Sequence, residues 1–327
     1  MSLAPYIRAM GRGPSRGRSL TMDEAQDAMA QMLAGTAEAS AIGALLMLMR
    51  YRGETADEVA GFTQAARAHL AGWRGIGAAL DWPSYAAGRS RGLPWFLLSA
   101  LLVARAGHPV LLHGWNSHQN PIADVKGGID RLGIRICGTP DTAREALHMS
   151  GIAYVPLDAL CPPVLSLLKL RDVLGLRSAV NTVCRMLNPA GAGTMVQGVF
   201  HPSYRELQQD AAALLGQDNL AVLKGGGGEF ERHPGKAVTL YGLAEAEPFT
   251  ETAPRLIDAH RRLGDSGDDP EHLLDVWHGS VRDDWAEAII IGTAGLALKA
   301  LRPALGLTEA EVLAHAQWQS RHQSTAA

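Results

Sequence analysis

Residues 93–114 read LPWFLLSALLVARAGHPVLLHG. The first part, Leu93–Arg105, is an apolar run that predicts a buried helix, and Val110–His113 is a short apolar stretch of strand length. The same alternation recurs downstream. Ile134–Cys137 and Ala153–Pro156 read as short strands with a helix over Thr142–Met149 between them. Leu220–Leu223 is a further strand, stopped by Gly225 to Gly228. Strands alternating with helices predict an α/β fold around a mostly parallel sheet.

Upstream the pattern is purely helical. The first twenty residues, Gly/Arg/Ser-rich around GRGPSRGRS, read as a loop or arm. Thr21 and Glu24 have capping-box spacing and start a helix with Ala25, Ala28, Met29, Met32 and Leu33 on its apolar face. Ala41–Arg50 is nearly all apolar and predicts a buried helix ended by Gly53. Thr55 with Glu58 is a second capping box, opening a helix through Val59, Phe62, Ala66 and Leu70. Pro163–Leu187 reads as helix and interrupts the strand rhythm, and Trp285–Leu301 with Thr308–Gln319 close the chain as helices.

At 327 residues, 47% apolar and 19% charged, the chain has material for about two cores, and disorder or a stapled mini-scaffold is excluded. Cys137, Cys161 and Cys184 are too far apart for a metal knuckle and odd in number, so free thiols in a reducing, cytoplasmic setting are expected. The run Leu93–Ala104 is too short to span a bilayer, so no membrane association is expected. Net charge is −3, but it is uneven. Residues 1–20 carry Arg8, Arg12, Arg16 and Arg18 without an acid, whereas residues 245–287 hold twelve acids and four arginines. Such polarity allows a local basic surface on an acidic protein.

Two groups of residues carry a family resemblance. One is Leu48-Met49-Arg50-Tyr51-Arg52-Gly53-Glu54-Thr55 with Glu58-Val59-Ala60-Gly61. The other is Leu112-His113-Gly114, then Leu174-Gly175-Leu176-Arg177…Asn181…Leu187-Asn188-Pro189-Ala190. In order and spacing the chain resembles the anthranilate phosphoribosyltransferases, of glycosyltransferase family 3. The resemblance implies a small all-helical domain, residues 1–70 with 160–188, through which homodimers form. It also implies a larger α/β domain, residues 71–159 with 189–327.

Where that family binds phosphoribosyl pyrophosphate, the chain departs from it. The glycine loop GTGGD is replaced by the stretch Asp81–Gly92, with Pro83, Tyr85, Arg89 and Arg91 where small residues let backbone approach phosphate. The KHGNR motif is reduced to Leu112-His113-Gly114-Trp115-Asn116, and the paired magnesium-binding acids align with Phe230 and Glu231. No cofactor is therefore expected; magnesium enters only if an alternative glycosyl or phosphoribosyl transfer holds, for which His113, Arg171 and Glu231 form the residual cleft. Arg171 matches the arginine that contacts anthranilate in the enzymes, although a helix arginine serves structure equally well.

The replacements themselves, with Ile7-Arg8…Gly11-Arg12-Gly13 and Ala159-Leu160-Cys161-Pro162-Pro163, resemble the YbiB-type paralogues. These imply a homodimer that binds DNA or RNA without sequence preference. Arg8, Arg12, Arg16, Arg18, Arg89, Arg91 and Lys224 are the expected phosphate contacts, because guanidinium pairs bidentately with phosphate. Lys224 begins a glycine run that lacks the GKS/T of a phosphate loop and reads as a flexible turn. The twelve histidines include no zinc-binding spacing, so no metal site is expected.

Overall fold

The computed structural model describes residues 2–13, 15–85, 92–115, 124–259, 261 and 269–322. The chain opens with α1 (Ala4–Gly11), α2 (Met22–Leu33), α3 (Ala39–Arg52) and α4 (Ala56–Ala68). It enters the sheet with β1 (Leu80–Ser84), α5 (Phe96–Arg105), β2 (Val110–Gly114), α6 (Val125–Arg131), α7 (Pro140–Ser150) and β3 (Ile152–Pro156). Four short helices follow: α8 (Leu157–Leu160), α9 (Pro162–Lys169), α10 (Arg171–Leu174) and α11 (Val180–Arg185). The sheet resumes with β4 (Thr194–Val199), α12 (Tyr204–Leu214), β5 (Asn219–Lys224), β6 (Val238–Ala244) and β7 (Glu247–Ala253). The chain closes on α13 (His272–His278), α14 (Asp284–Leu301) and α15 (Leu307–Gln319).

The sheet order is β3-β2-β1-β4-β5-β6-β7. The first five strands are parallel, and β6 and β7 add an antiparallel edge. Alternate residues feed different cores, as strand periodicity requires. Val110 and Leu112 pack with α5 and α14, whereas Leu111 packs with the N-terminal helices and α9–α11. The fold is the expected one, a helical N-terminal unit and a larger α/β unit with a mostly parallel sheet.

Both capping boxes form. The Thr21 hydroxyl accepts from Glu24 N–H and the Thr55 hydroxyl from Glu58 N–H, each at 3.3 Å. Glu58 is wholly buried because it also accepts from the Leu20 N–H at 2.9 Å, pinning the incoming chain to α4. Gly61 lets α2 and α4 touch, since a Cβ there would lie 2.2 Å from the Met22 carbonyl oxygen. Arg67 of α4 donates to the Met186 and Leu187 carbonyls, tying the helices to the segment before β4, and burial lowers its pKa to about 10.

Four local expectations are corrected. The first twenty residues are not a free arm, because α1 forms and buries Leu3 and Met10 against α3. Helix α3 is not buried throughout: Leu45, Leu46 and Met49 are, Ala41, Ile42 and Leu48 are partly buried against the same core, and Ala44 and Tyr51 are exposed. Ile134–Cys137 is not a strand but one bridge, Ile136 to Tyr154. Pro163–Leu187 is broken into α9, α10 and α11, with Gly175 in the left-handed conformation ending α10. Cys137, Cys161 and Cys184 are buried free thiols. Among the described residues no helix is long and apolar enough to cross a membrane.

Candidate functional site

The strand order reverses between β1 and β4, and ligands of open α/β sheets bind in the crevice at such a switch point. Among the described residues, several of the chain's own polar groups converge beside this crevice. Arg185, at the end of α11, donates from Nε to the Gly198 carbonyl on β4 at 3.0 Å. Its Nη1 donates to the Asn181 carbonyl at 2.8 Å and its Nη2 to the Tyr85 carbonyl, just past β1, at 3.1 Å. Burial lowers the Arg185 pKa, with Glu229 opposing that shift.

Tyr85 stands where the family's glycine loop begins, and its ring is buried. Its hydroxyl lies 2.9 Å from His113 Nδ1, and His113 Nε2 lies 3.2 Å from Asp81. An Asp81 carboxylate can only accept, so Nε2 carries the hydrogen and Nδ1 accepts from the phenol. His113 is thus clasped on both nitrogens and does not face a cleft. Burial holds the Tyr85 phenol well above its usual 10.0 and raises Tyr154 and Cys184 from 10.0 and 9.0. These groups keep their protons when folded and lose them first when unfolded. Their contribution is therefore whole below the unfolded values and is lost as pH rises through the folded ones. Urea midpoints are expected to hold through neutrality and to fall progressively above pH 9. A midpoint unchanged at alkaline pH would contradict this.

The residues aligned with the magnesium acids are committed elsewhere. Phe230 is a core ring edge-on to Trp82, with centroids 5.5 Å apart. Glu231, also buried, accepts the Phe96 N–H at 3.1 Å, so a carboxylate of the chain occupies the N-terminus of α5, where an anion would otherwise be favoured. Glu229 accepts from the Ser84 hydroxyl at 2.9 Å. The turn holding these acids lies directly on β4, since a Cβ on Gly198 would fall 2.0 Å from the Glu229 carbonyl carbon. Among the described residues no three potential metal ligands cluster.

Beside the crevice runs a groove lined by Arg50, Arg177, Phe200, His201 and Tyr204, and reaching Arg185. Arg50 donates to the Tyr204 hydroxyl at 2.9 Å, and that hydroxyl donates to Glu54 at 2.9 Å. Arg177 is half-buried and makes no hydrogen bond or ion pair with the described residues. Its pKa is lowered first by burial, then by Arg185, Arg171 and Arg50. Among the described residues no acid lines the groove, and Phe200 is 50% exposed beside His201, ring centroids 5.0 Å apart.

The residues expected from sequence thus separate. His113 and Glu231 are buried and hydrogen-bonded, while Arg171 lies outside the groove lining and is felt there only through its charge on Arg177. Arg8, Arg12 and Arg16 are exposed on α1 and after it. Arg18 is exposed but held by Glu24 through two contacts of 2.6 Å. Lys224 is exposed at the end of β5. Arg89 and Arg91 lie outside the described residues, as does Asn116. Arg50, Arg177, Arg185 and Phe200 were missed as site residues, although Arg50 and Arg177 stand inside the stretches that carry the resemblance.

Comparison with known proteins agrees with this architecture. Residues 4–70 match the model of the glycosyl transferase family helical bundle domain, and residues 96–254 match that of its a/b domain. The anthranilate phosphoribosyltransferase of Afipia carboxidovorans is 30% identical over 306 residues, covering 91% of this chain and 89% of the relative. That of Geobacillus thermodenitrificans is 31% identical over 216 residues, and the match spans 64% of this chain and 62% of that relative. The crystal structure of the enzyme from Thermus thermophilus superposes with a TM-score of 0.81 at 22% identity, covering 98% of this chain and 95% of that one. The enzyme from Saccharomyces cerevisiae in complex with PRPP and Mg gives 0.77 at 15% identity, covering 97% and 93%. The chain belongs to the anthranilate phosphoribosyltransferase family of glycosyl transferases.

Proposed function

We propose that the protein is a sequence-nonspecific nucleic-acid-binding protein on this transferase scaffold, acting as a homodimer. The observation that carries the reading is Arg177, a half-buried cation without a partner among the described residues, whose charge is opposed by Arg50, Arg171 and Arg185. Like charges held together in a groove repel, and a polyanion relieves that repulsion. Phosphate contacts hold a strand without reading its sequence, and the exposed Phe200 ring offers a stacking face. The likeness to YbiB-type paralogues points the same way. Phosphoribosyl transfer of the parent kind is disfavoured, because Phe230 stands where one of the paired magnesium-binding acids is expected and the glycine loop is replaced by the stretch Asp81–Gly92.

Titration into labelled single- and double-stranded oligonucleotides tests the reading. Binding at micromolar protein or below is expected at low salt, with log affinity falling linearly in log salt. No binding under those conditions would overturn it.

The dimer rests on Tyr51, in the last turn of α3, with Val173 and Leu176, exposed by 90%, 82% and 52%. A surface of this kind suits a two-fold contact. Light scattering is expected to give twice the 34.8 kDa chain mass. A mass that stays monomeric at working concentration would remove the dimer.

A further inference from the structure

A cavity of about 290 Å³ opens beside the carboxyl end of β5, beyond the crevice. One side is apolar, built by Val238, Ile289 and Trp285, with His233 edge-on to the Trp285 ring at 5.3 Å. The lining also carries four cations, of which Arg232 is buried and paired with Glu311 at 2.6 Å. Lys224 and Lys236 are exposed and make no hydrogen bond or ion pair with the described residues. Arg205 is held in place by donating to the Thr239 carbonyl at 3.1 Å and lying over the Tyr241 ring at 4.8 Å. The acid in the lining, Glu231, is engaged with the Phe96 N–H.

We propose that this cavity binds a phosphorylated nucleoside, with the base and sugar against the Trp285 wall and the phosphate among Lys224, Lys236 and Arg205. The volume is roughly ten times that of a water molecule, far more than phosphate alone needs, and the apolar wall calls for a ring. Nucleotide chemistry, rather than another aromatic phosphate, rests on the nucleic-acid reading. His201 and Tyr204 line the arginine groove while Arg205, next in sequence, lines the cavity, so one chain segment borders both. The ligand is a free mononucleotide or the phosphorylated end of a strand.

Calorimetric and thermal-shift titrations of the full chain with AMP, UMP and inorganic phosphate test the assignment. The two nucleotides are expected to bind and raise Tm by a few degrees, with phosphate at least tenfold weaker. The double variant Lys224→Ala/Lys236→Ala, both exposed, should keep its Tm and lose tenfold or more in nucleotide affinity. Comparing strands with a 5′-phosphate and a 5′-hydroxyl separates the two sources: a preference abolished by the lysine variant identifies a strand end, and nucleotide binding without it identifies a free ligand. Nucleotides that bind while oligonucleotides do not would retain the cavity and remove the nucleic-acid function. Nucleotides that neither bind nor stabilise, or that bind the lysine variant equally well, would overturn the proposal even if strands bind.

Discussion

Replacing Arg185 by methionine is expected to lower stability by about 3–5 kcal/mol, because three buried carbonyls lose their donors at once and each orphaned acceptor costs about 1–3 kcal/mol. Those carbonyls belong to Tyr85, Asn181 and Gly198, so the change unties α11 from the ends of both strands that flank the switch point. Methionine fills much of the same volume, which keeps the loss from being a cavity effect. Lysine should rescue little, since an ammonium cannot reproduce a planar fork aimed at three acceptors. Urea denaturation measures this directly. A loss below about 1 kcal/mol would show that the guanidinium is not what joins these elements.

The double variant Arg50→Gln/Arg177→Gln should reverse the usual relation between a cation and its fold. Affinity for an oligonucleotide is expected to fall by roughly a hundredfold, at about tenfold per charge-assisted phosphate contact. The salt slope should fall by about 1.4 for a single strand bound to each protomer. The single variant Arg177→Gln should be no less stable than the parent, because it removes a half-buried charge whose described surroundings are repulsive. Binding down with stability unchanged or up is the pattern of a residue kept for its ligand. Full affinity in the folded double variant would return these arginines to a structural role. Arg8, Arg12 and Arg16, exposed and away from the groove lining, serve as a separate triple variant with a smaller expected loss.

Local signals in the sequence were faithful where the structure depends on local contacts. Both capping boxes lie within four residues and form as read. Strand β1 was missed because it holds Asp81 and Pro83, residues that argue against a central strand. The structure explains the exception: β1 pairs with β4 only at Leu80 and Asp81, so the proline falls where the two strands have already parted. The β6–β7 hairpin was missed for a different reason. Its turn places Glu245 and Ala246 at φ of 52° and 67°, with none of the Gly or Asn that announces such a turn. The arginine groove was hidden because residues 50, 177 and 185 are far apart in sequence or on different turns and line one groove only in the folded chain. The asparagine in Leu187-Asn188-Pro189 was legible as a family mark, but its work is structural. It takes φ of 41° and clamps Ala192 through both ends of its side-chain amide.

The buried cysteines give the molecule an internal clock. A thiol reacts with alkylating reagents only as thiolate and only when reached, and burial denies Cys161 and Cys184 both conditions. Their modification rate in the native protein therefore counts openings of the helices α9 and α11 away from the sheet. Cys137, clasped by the Arg135 and Thr142 carbonyls beside α7, counts openings of the segment that bridges to edge strand β3. Breathing of the groove wall and breathing of the sheet edge are thereby recorded on separate residues of one unlabelled chain.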